Sequence, residues 1–139
     1  MGAPFTHRLR VRYAECDPQG VVFNAHYVTY FDTAITELWR AALGSYQAML
    51  DAGTDMMVAE LGIRYRAPAR FDDELELGLV ITRLGTTSIS TAFSVRRAGE
   101  EPLLAEGQLR HVFIDPESGR KKAIPESVRA ALEPYAQGA

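Results

Sequence analysis

Tyr13-Ala14-Glu15-Cys16-Asp17-Pro18-Gln19-Gly20-Val21-Val22-Phe23-Asn24-Ala25-His26-Tyr27 sets a carboxylate in a tight turn immediately before a long amphipathic segment. In Asp17-Pro18-Gln19-Gly20 the proline presets one dihedral, the Asp side chain can bond the backbone that follows it, and the glycine takes conformations closed to other residues. The turn therefore fixes Asp17 in space. From Tyr27 the apolar positions Tyr27, Phe31, Ala34, Ile35, Leu38, Trp39, Ala42 and Leu43 recur at intervals of three and four. Asp32, Thr36, Glu37 and Arg40 fall on the other side, so the spacing predicts an amphipathic helix that stops at Gly44. A helix beginning near Asn24 would bring unpaired backbone N–H groups and its positive dipole end close to Asp17. An acid or nucleophile beside oxyanion donors is what attack on an activated carbonyl requires.

Working outward, Arg8 to Arg12 alternate polar and apolar and predict a first strand ending near Tyr13. Ser45 to Gly53 reads as a short helical turn and loop. Four strands follow, at Met56–Tyr65, Glu74–Leu84, Thr87–Arg97 and Leu103–Ile114, bounded by Pro68 with Asp72-Asp73, Gly85, Gly99 with Pro102, and Asp115-Pro116 with Gly119. Four strands joined by short connections predict an antiparallel meander of hairpin-linked neighbours. Pro125 to Tyr135 predicts a short C-terminal helix, with Val128, Ala131, Leu132 and Tyr135 on one side. The fold class is α+β, one sheet packed on one dominant helix. One helix covers only one face, and an unprotected edge strand invites a second copy, so a homodimer is the expected assembly.

Composition narrows the chemistry. The 139 residues suit a single domain over 1–139, with 47% apolar and 24% charged residues. No run approaches the roughly 18 apolar residues of a membrane span, and no secretory signal follows Met1, so a cytoplasmic protein without a membrane partner is expected. A net charge of -3 lacks the electrostatic footprint of a nucleic-acid binder. His7, His26 and His111 show no metal-ligand spacing, and neither a metal nor a cofactor is expected. The lone Cys16 has no histidine placed in sequence to activate it and reads as a small filler. His26 reads as a surface or interface residue, His111 as structural, Phe31 and Trp39 as core, and Glu60 as a solvated strand residue. Tyr27 begins the apolar stripe, where core packing and a pocket wall are both compatible with its place.

The run Glu15-Cys16-Asp17-Pro18-Gln19-Gly20-Val21-Val22, followed by Asn24-Ala25-His26-Tyr27 and a helix, resembles the signature of hotdog-fold acyl-CoA thioesterases of the 4-hydroxybenzoyl-CoA thioesterase family. A second block, Tyr65-Arg66-Ala67-Pro68-Ala69-Arg70-Phe71-Asp72-Asp73-Glu74-Leu75, resembles the strand, Pro-containing loop and Asp-Asp of the same family. The resemblance implies a sheet wrapped around one helix, dimers joined edge to edge with active sites at the subunit interface, and often dimers of dimers, hence a homotetramer. It places Asp17 on the catalytic aspartate, Gly20 on the turn glycine, and Asn24 where a backbone N–H points at the thioester carbonyl. It also puts Arg120-Lys121-Lys122 where such enzymes meet the nucleotide of coenzyme A.

A thiol leaving group, with a pKa of about 8.5, needs no strong general acid, so one aspartate with backbone donors can suffice. Asp17 could attack the carbonyl itself or deprotonate a water. The expected activity is hydrolysis of an acyl-CoA thioester. The alternative is an acyl-thioester binding protein on the same fold, against which the presence of Asp17 argues.

Overall fold

The computed structural model describes residues 3–136. Five strands form one antiparallel sheet: β1 (Phe5–Arg10), β2 (Asp55–Tyr65), β3 (Glu74–Leu84), β4 (Ser88–Arg97) and β5 (Leu103–Ile114). The long helix α1 (His26–Leu43) ends at Gly44, whose φ of 75° lies in the left-handed region that favours glycine. Two short helices complete the chain, α2 (Tyr46–Asp51) and α3 (Glu126–Leu132), and a 3₁₀ turn follows α3 at Glu133–Tyr135. Ser45 caps α2, its Oγ accepting the Ala48 N–H at 3.1 Å. The first strand begins earlier than expected, at Phe5, because its alternation continues back from Leu9 through His7 and pairs with β3 as far as Leu79.

The strand order is β1-β3-β4-β5-β2. β3, β4 and β5 form the expected meander, but β2 departs from it: it pairs with β5, from Asp55↔Ile114 to Tyr65↔Ala105, and not with β3. The physical reason lies in residues 66–73, which connect β2 to β3. Three strand spacings amount to about 14 Å, well within the reach of an eight-residue connection. The loop crosses the end of the sheet and is fastened on the way. Arg66 and Ala67 N–H groups donate to the Leu104 carbonyl, and Arg97 donates to the Pro68 carbonyl at 2.8 Å and to Asp73 at 2.9 Å. β2 is thereby left at an edge, with Met57 58% and Val58 54% exposed.

The core lies between α1 and one face of the sheet. Leu75, Leu77, Leu79 and Ile81 of β3 are fully buried, as are Ile89 and Val95 of β4 and Phe113 of β5. Phe31, Ala34, Ile35, Leu38 and Trp39 supply the helical side, so the three-and-four spacing becomes the buried stripe of α1. Phe31 stacks on Phe93, with centroids 4.5 Å apart and planes 16° apart. A Cβ at Gly107 would come within 2.4 Å of the Gly62 carbonyl oxygen and 3.0 Å of Phe31, so glycine there lets the helix settle onto β5.

His111 sits in this core edge-on to Trp39, with centroids 5.7 Å apart. Its Nδ1 has no hydrogen-bond partner among the described residues. Burial pushes its pKa down to about 4, while the charge of Asp32 works weakly in the other direction. The folded protein thus holds His111 neutral while the unfolded chain takes up a proton near pH 6.5. This contribution is fully present above about pH 6.5 and is lost as pH falls toward 4, at about 1.4 kcal/mol per unit and about 3 kcal/mol in all. Urea unfolding at pH 7 and 4.5 is expected to show a flatter pH dependence in His111→Leu than in the wild type. Equal slopes would mean that carboxylates alone govern acid stability.

Candidate active site

Asp17 stands in a small hairpin. Glu15 and Phe23 are joined by Phe23 N–H to Glu15 carbonyl at 2.9 Å, Cys16 faces Val22, and Asp17 N–H donates to Val21 carbonyl at 2.9 Å. Gly20 N–H closes the turn on the Asp17 carbonyl, and its φ of 78° is the left-handed conformation that completes a three-residue hairpin loop. The Asp17 carboxylate accepts the Gln19 N–H at 2.8 Å, the local bond that its position before proline anticipates. Its second oxygen has no protein donor among the described residues. Asp17 itself is half-buried.

The hairpin leads directly into α1. His26, Tyr27 and Val28 N–H groups fold back onto the carbonyls of Phe23, Asn24 and Ala25 at 2.9, 3.3 and 3.2 Å. No side chain caps the helix and its first turn holds no acidic residue. Among the described residues, the N–H groups of Asn24 and Ala25 have no acceptor, so this end offers two donors and a positive dipole end. Tyr65, at the end of β2, donates its hydroxyl to the Asn24 carbonyl at 2.9 Å and ties the start of the helix to the edge strand. Beyond its place at the head of the second family-like block, nothing in the local sequence pointed to Tyr65, because the contact spans 41 residues.

Glu15 was also not singled out by sequence reasoning, beyond its place in the motif. It is 6% exposed, and its carboxylate accepts the Arg12 N–H and the Tyr30 hydroxyl, each at 2.8 Å, and the Arg12 Nε at 3.1 Å. Burial pushes the Glu15 pKa up, but the bonds from Arg12 and Tyr30 outweigh it and hold the carboxyl below its ordinary value. Tyr30 is driven far above the usual phenol range by burial and by Glu15, so it stays protonated and donates.

The other expected site residues separate. Tyr27 is buried at 2% exposure, and its hydroxyl accepts the Ala69 N–H at 3.3 Å, which makes it a core residue holding the crossing loop. Lys122 reaches across the chain to donate to the Gly53 carbonyl at 2.8 Å, so Arg120-Lys121-Lys122 is not one free basic cluster; Arg120 and Lys121 are exposed. The two ends of the sheet also divide the set. The Asp17 hairpin abuts the crossing loop, where Val22 N–H donates to Ala69 carbonyl and Val21 faces Arg70, beside the row Tyr65, Ala105, Val95 and Leu77. Arg120 and Lys121 follow Ile114 at the opposite end of β5, about 30 Å along the strand. Within one chain they do not meet.

Two cavities lie away from Asp17. One of about 670 Å³ lies against β2, β4 and β5, between Glu60, Arg64, Ser90 and Arg110. The other, of about 460 Å³, lies between the end of α1, α2 and α3, lined by Leu43, Met49, Lys122 and Val128. Among the described residues no cluster of His, Cys, Asp and Glu could hold a metal, and no helix is long and apolar enough to cross a membrane.

The sequence model of the thioesterase-like superfamily matches residues 11–132, from just after β1 to the end of α3. The chain belongs to the thioesterase-like superfamily. Among relatives in this superfamily, the acyl-CoA thioester hydrolase YbgC of Escherichia coli is 35% identical over 129 residues, covering 93% of this chain and 96% of its own length. A 1,4-dihydroxy-2-naphthoyl-CoA thioesterase from Synechocystis has the same fold, with a TM-score of 0.85, 25% identity and coverage of 92% of this chain and 94% of that one. A protein from Thermus thermophilus superposes with a TM-score of 0.85 at 34% identity, covering 94% and 98%. The sheet laid around α1 is the hotdog fold, and the chain is a hotdog-fold thioesterase. In this member of the thioesterase-like superfamily, the Asp17 hairpin runs directly into the open start of α1.

Proposed function

We propose that this thioesterase hydrolyses acyl-coenzyme A, releasing the free acid and the thiol, with Asp17 as nucleophile or general base and the Asn24 and Ala25 N–H groups as oxyanion donors. The observation that carries this reading is the rigid hairpin that leaves one carboxylate oxygen of Asp17 free next to an uncapped helix start. The Escherichia coli relative, an acyl-CoA thioester hydrolase, supports it. Charge growing on the carbonyl oxygen would meet donors already oriented before reaction. Loss of one such donor typically raises a barrier by about 3 to 4 kcal/mol.

The site is completed, in this proposal, by a second copy. The unpaired outer edge of β2 carries exposed Met57, Val58 and Leu61, and antiparallel pairing of two such edges would extend one sheet through both chains. Antiparallel pairing sets the Tyr65 end of one β2 beside the Asp55 end of the other. The Asp17 hairpin of one chain then approaches the partner's loop after β5, where an exposed arginine and lysine could meet the phosphates of coenzyme A.

The experiment is a thiol-release assay with butyryl-, palmitoyl- and benzoyl-coenzyme A. Release with at least one ester is expected, whereas binding without release across the panel favours the non-catalytic alternative. Lys121→Glu is expected to raise KM for the coenzyme A ester about fivefold, or about 1 kcal/mol, with little change for the same acyl group on N-acetylcysteamine. An equal change for both esters would remove the phosphate role.

A further inference from the structure

We propose that Glu15 and Tyr30 form a positioning pair that sets the distance between Asp17 and the open N–H groups at the start of α1, an inference that rests on the thioesterase reading above. Glu15 is the root of the Asp17 hairpin: its carbonyl accepts the Phe23 N–H, the hydrogen bond that closes the hairpin's base, two residues before Asp17. Its side chain then bonds Tyr30, which lies one turn into α1 on the buried face. The same residue therefore grips the hairpin with its backbone and the helix with its carboxylate. Arg12 closes the third side, giving its N–H at 2.8 Å and its guanidinium at 3.1 Å. Every other carboxylate in an ion pair among the described residues is considerably more exposed than Glu15, whose side chain is 8% exposed.

Holding an ionised carboxylate in so dry a place is costly unless it is fully bonded, and here three groups bond it. What the arrangement gains is rigidity between the two elements that carry the proposed catalytic groups. Asp17 presents an oxygen, and Asn24 and Ala25 present N–H groups. A shift of about 1 Å between such groups costs on the order of 100-fold in rate. Loss of the Tyr30 hydroxyl leaves the hairpin and the helix intact as elements and frees them to move against one another.

The test compares Tyr30→Phe, Glu15→Gln and the double variant with Ile81→Val. Ile81 is fully buried in β3, three strands from the β2 edge, and serves as a control for loss of stability alone. With the best ester of the panel, Tyr30→Phe is expected to lower kcat at least tenfold while KM moves less than twofold, and the double variant should be no worse than the poorer single one. Ile81→Val should lower the melting temperature without changing kcat. The pair is overturned as a positioning device if Tyr30→Phe loses stability but keeps kcat, or if the two variants multiply. Amide resonances of Asn24 and Ala25 and the Asp17 carboxyl carbon resonance provide a readout independent of turnover. They should move in Tyr30→Phe and not in Ile81→Val, even if the wild type hydrolyses none of the esters, an outcome that would sink the functional reading instead.

Discussion

Asp17→Asn is expected to lower kcat for acyl-CoA hydrolysis by between about 100- and 10,000-fold, the range over which a positioned general base contributes. The substitution is nearly isosteric, and the side-chain oxygen that accepts the Gln19 N–H survives in asparagine. The hairpin should therefore fold as before, with the melting temperature within about 2 °C of the wild type. A loss of rate without a loss of structure separates chemistry from turn formation, the two roles that this aspartate could fill. Full activity in Asp17→Asn would show that the residue only shapes the turn. A single turnover in ¹⁸O-labelled water then distinguishes the two mechanisms. Attack by the carboxylate forms an anhydride, and water cleaving it at the Asp17 carbon leaves label in the protein, whereas direct attack by water puts it only in the released acid. Tryptic fragments containing Asp17 report which has occurred.

Phe31→Ala is expected to lower stability by about 3 to 5 kcal/mol. The ring is fully buried in the second turn of α1, stacks on Phe93, and lies against the gap that Gly107 leaves in β5. Three elements would lose contacts at once, and a helix pinned to a sheet cannot readily collapse into the space. Against a total of 5 to 15 kcal/mol for an ordinary domain this is a large fraction, and a fall in melting temperature of about 10 to 20 °C should follow. Phe31→Leu, which keeps most of the volume, should cost much less. Comparable losses in both would mean that aromatic stacking, and not cavity formation, dominates.

Much of this architecture can be read from the chain. The spacing of Tyr27, Phe31, Ala34, Ile35, Leu38 and Trp39 states the buried face of α1, because side chains three and four apart share one side of a helix. Gly44, Gly85 and Gly99 mark where elements stop. The hairpin around Asp17 is likewise local, and Gly20 adopts the conformation for which glycine is suited. Pairing partners are different. Strand-forming residues mark β2 as a strand but do not tell which strand lies beside it, and only the fastening of residues 66–73 to Leu104 and Arg97 reveals the crossing. The partner of Lys122 is hidden for a similar reason. A run of three basic residues reads as one patch until one of them is seen to bond Gly53, 69 residues away. Glu15 lay within the signature itself, yet its burial depends on Tyr30, and no charge pattern announces that a loop carboxylate will be enclosed.

The position of β2 also governs how the chain emerges during synthesis. Its partners on β5 are made between about 40 and 60 residues later, as the register from Tyr65↔Ala105 to Asp55↔Ile114 requires. At roughly 5 to 20 residues per second the strand waits several seconds, with Met57, Val58 and Leu61 unsheltered on one side even after β5 arrives. β3 and β4, joined by a short turn, have no such delay. The nascent strand thus passes through an interval in which its apolar residues are open to any other unfinished chain. The edge proposed to embrace a second finished copy is, for those seconds, a surface that a chaperone would have reason to cover.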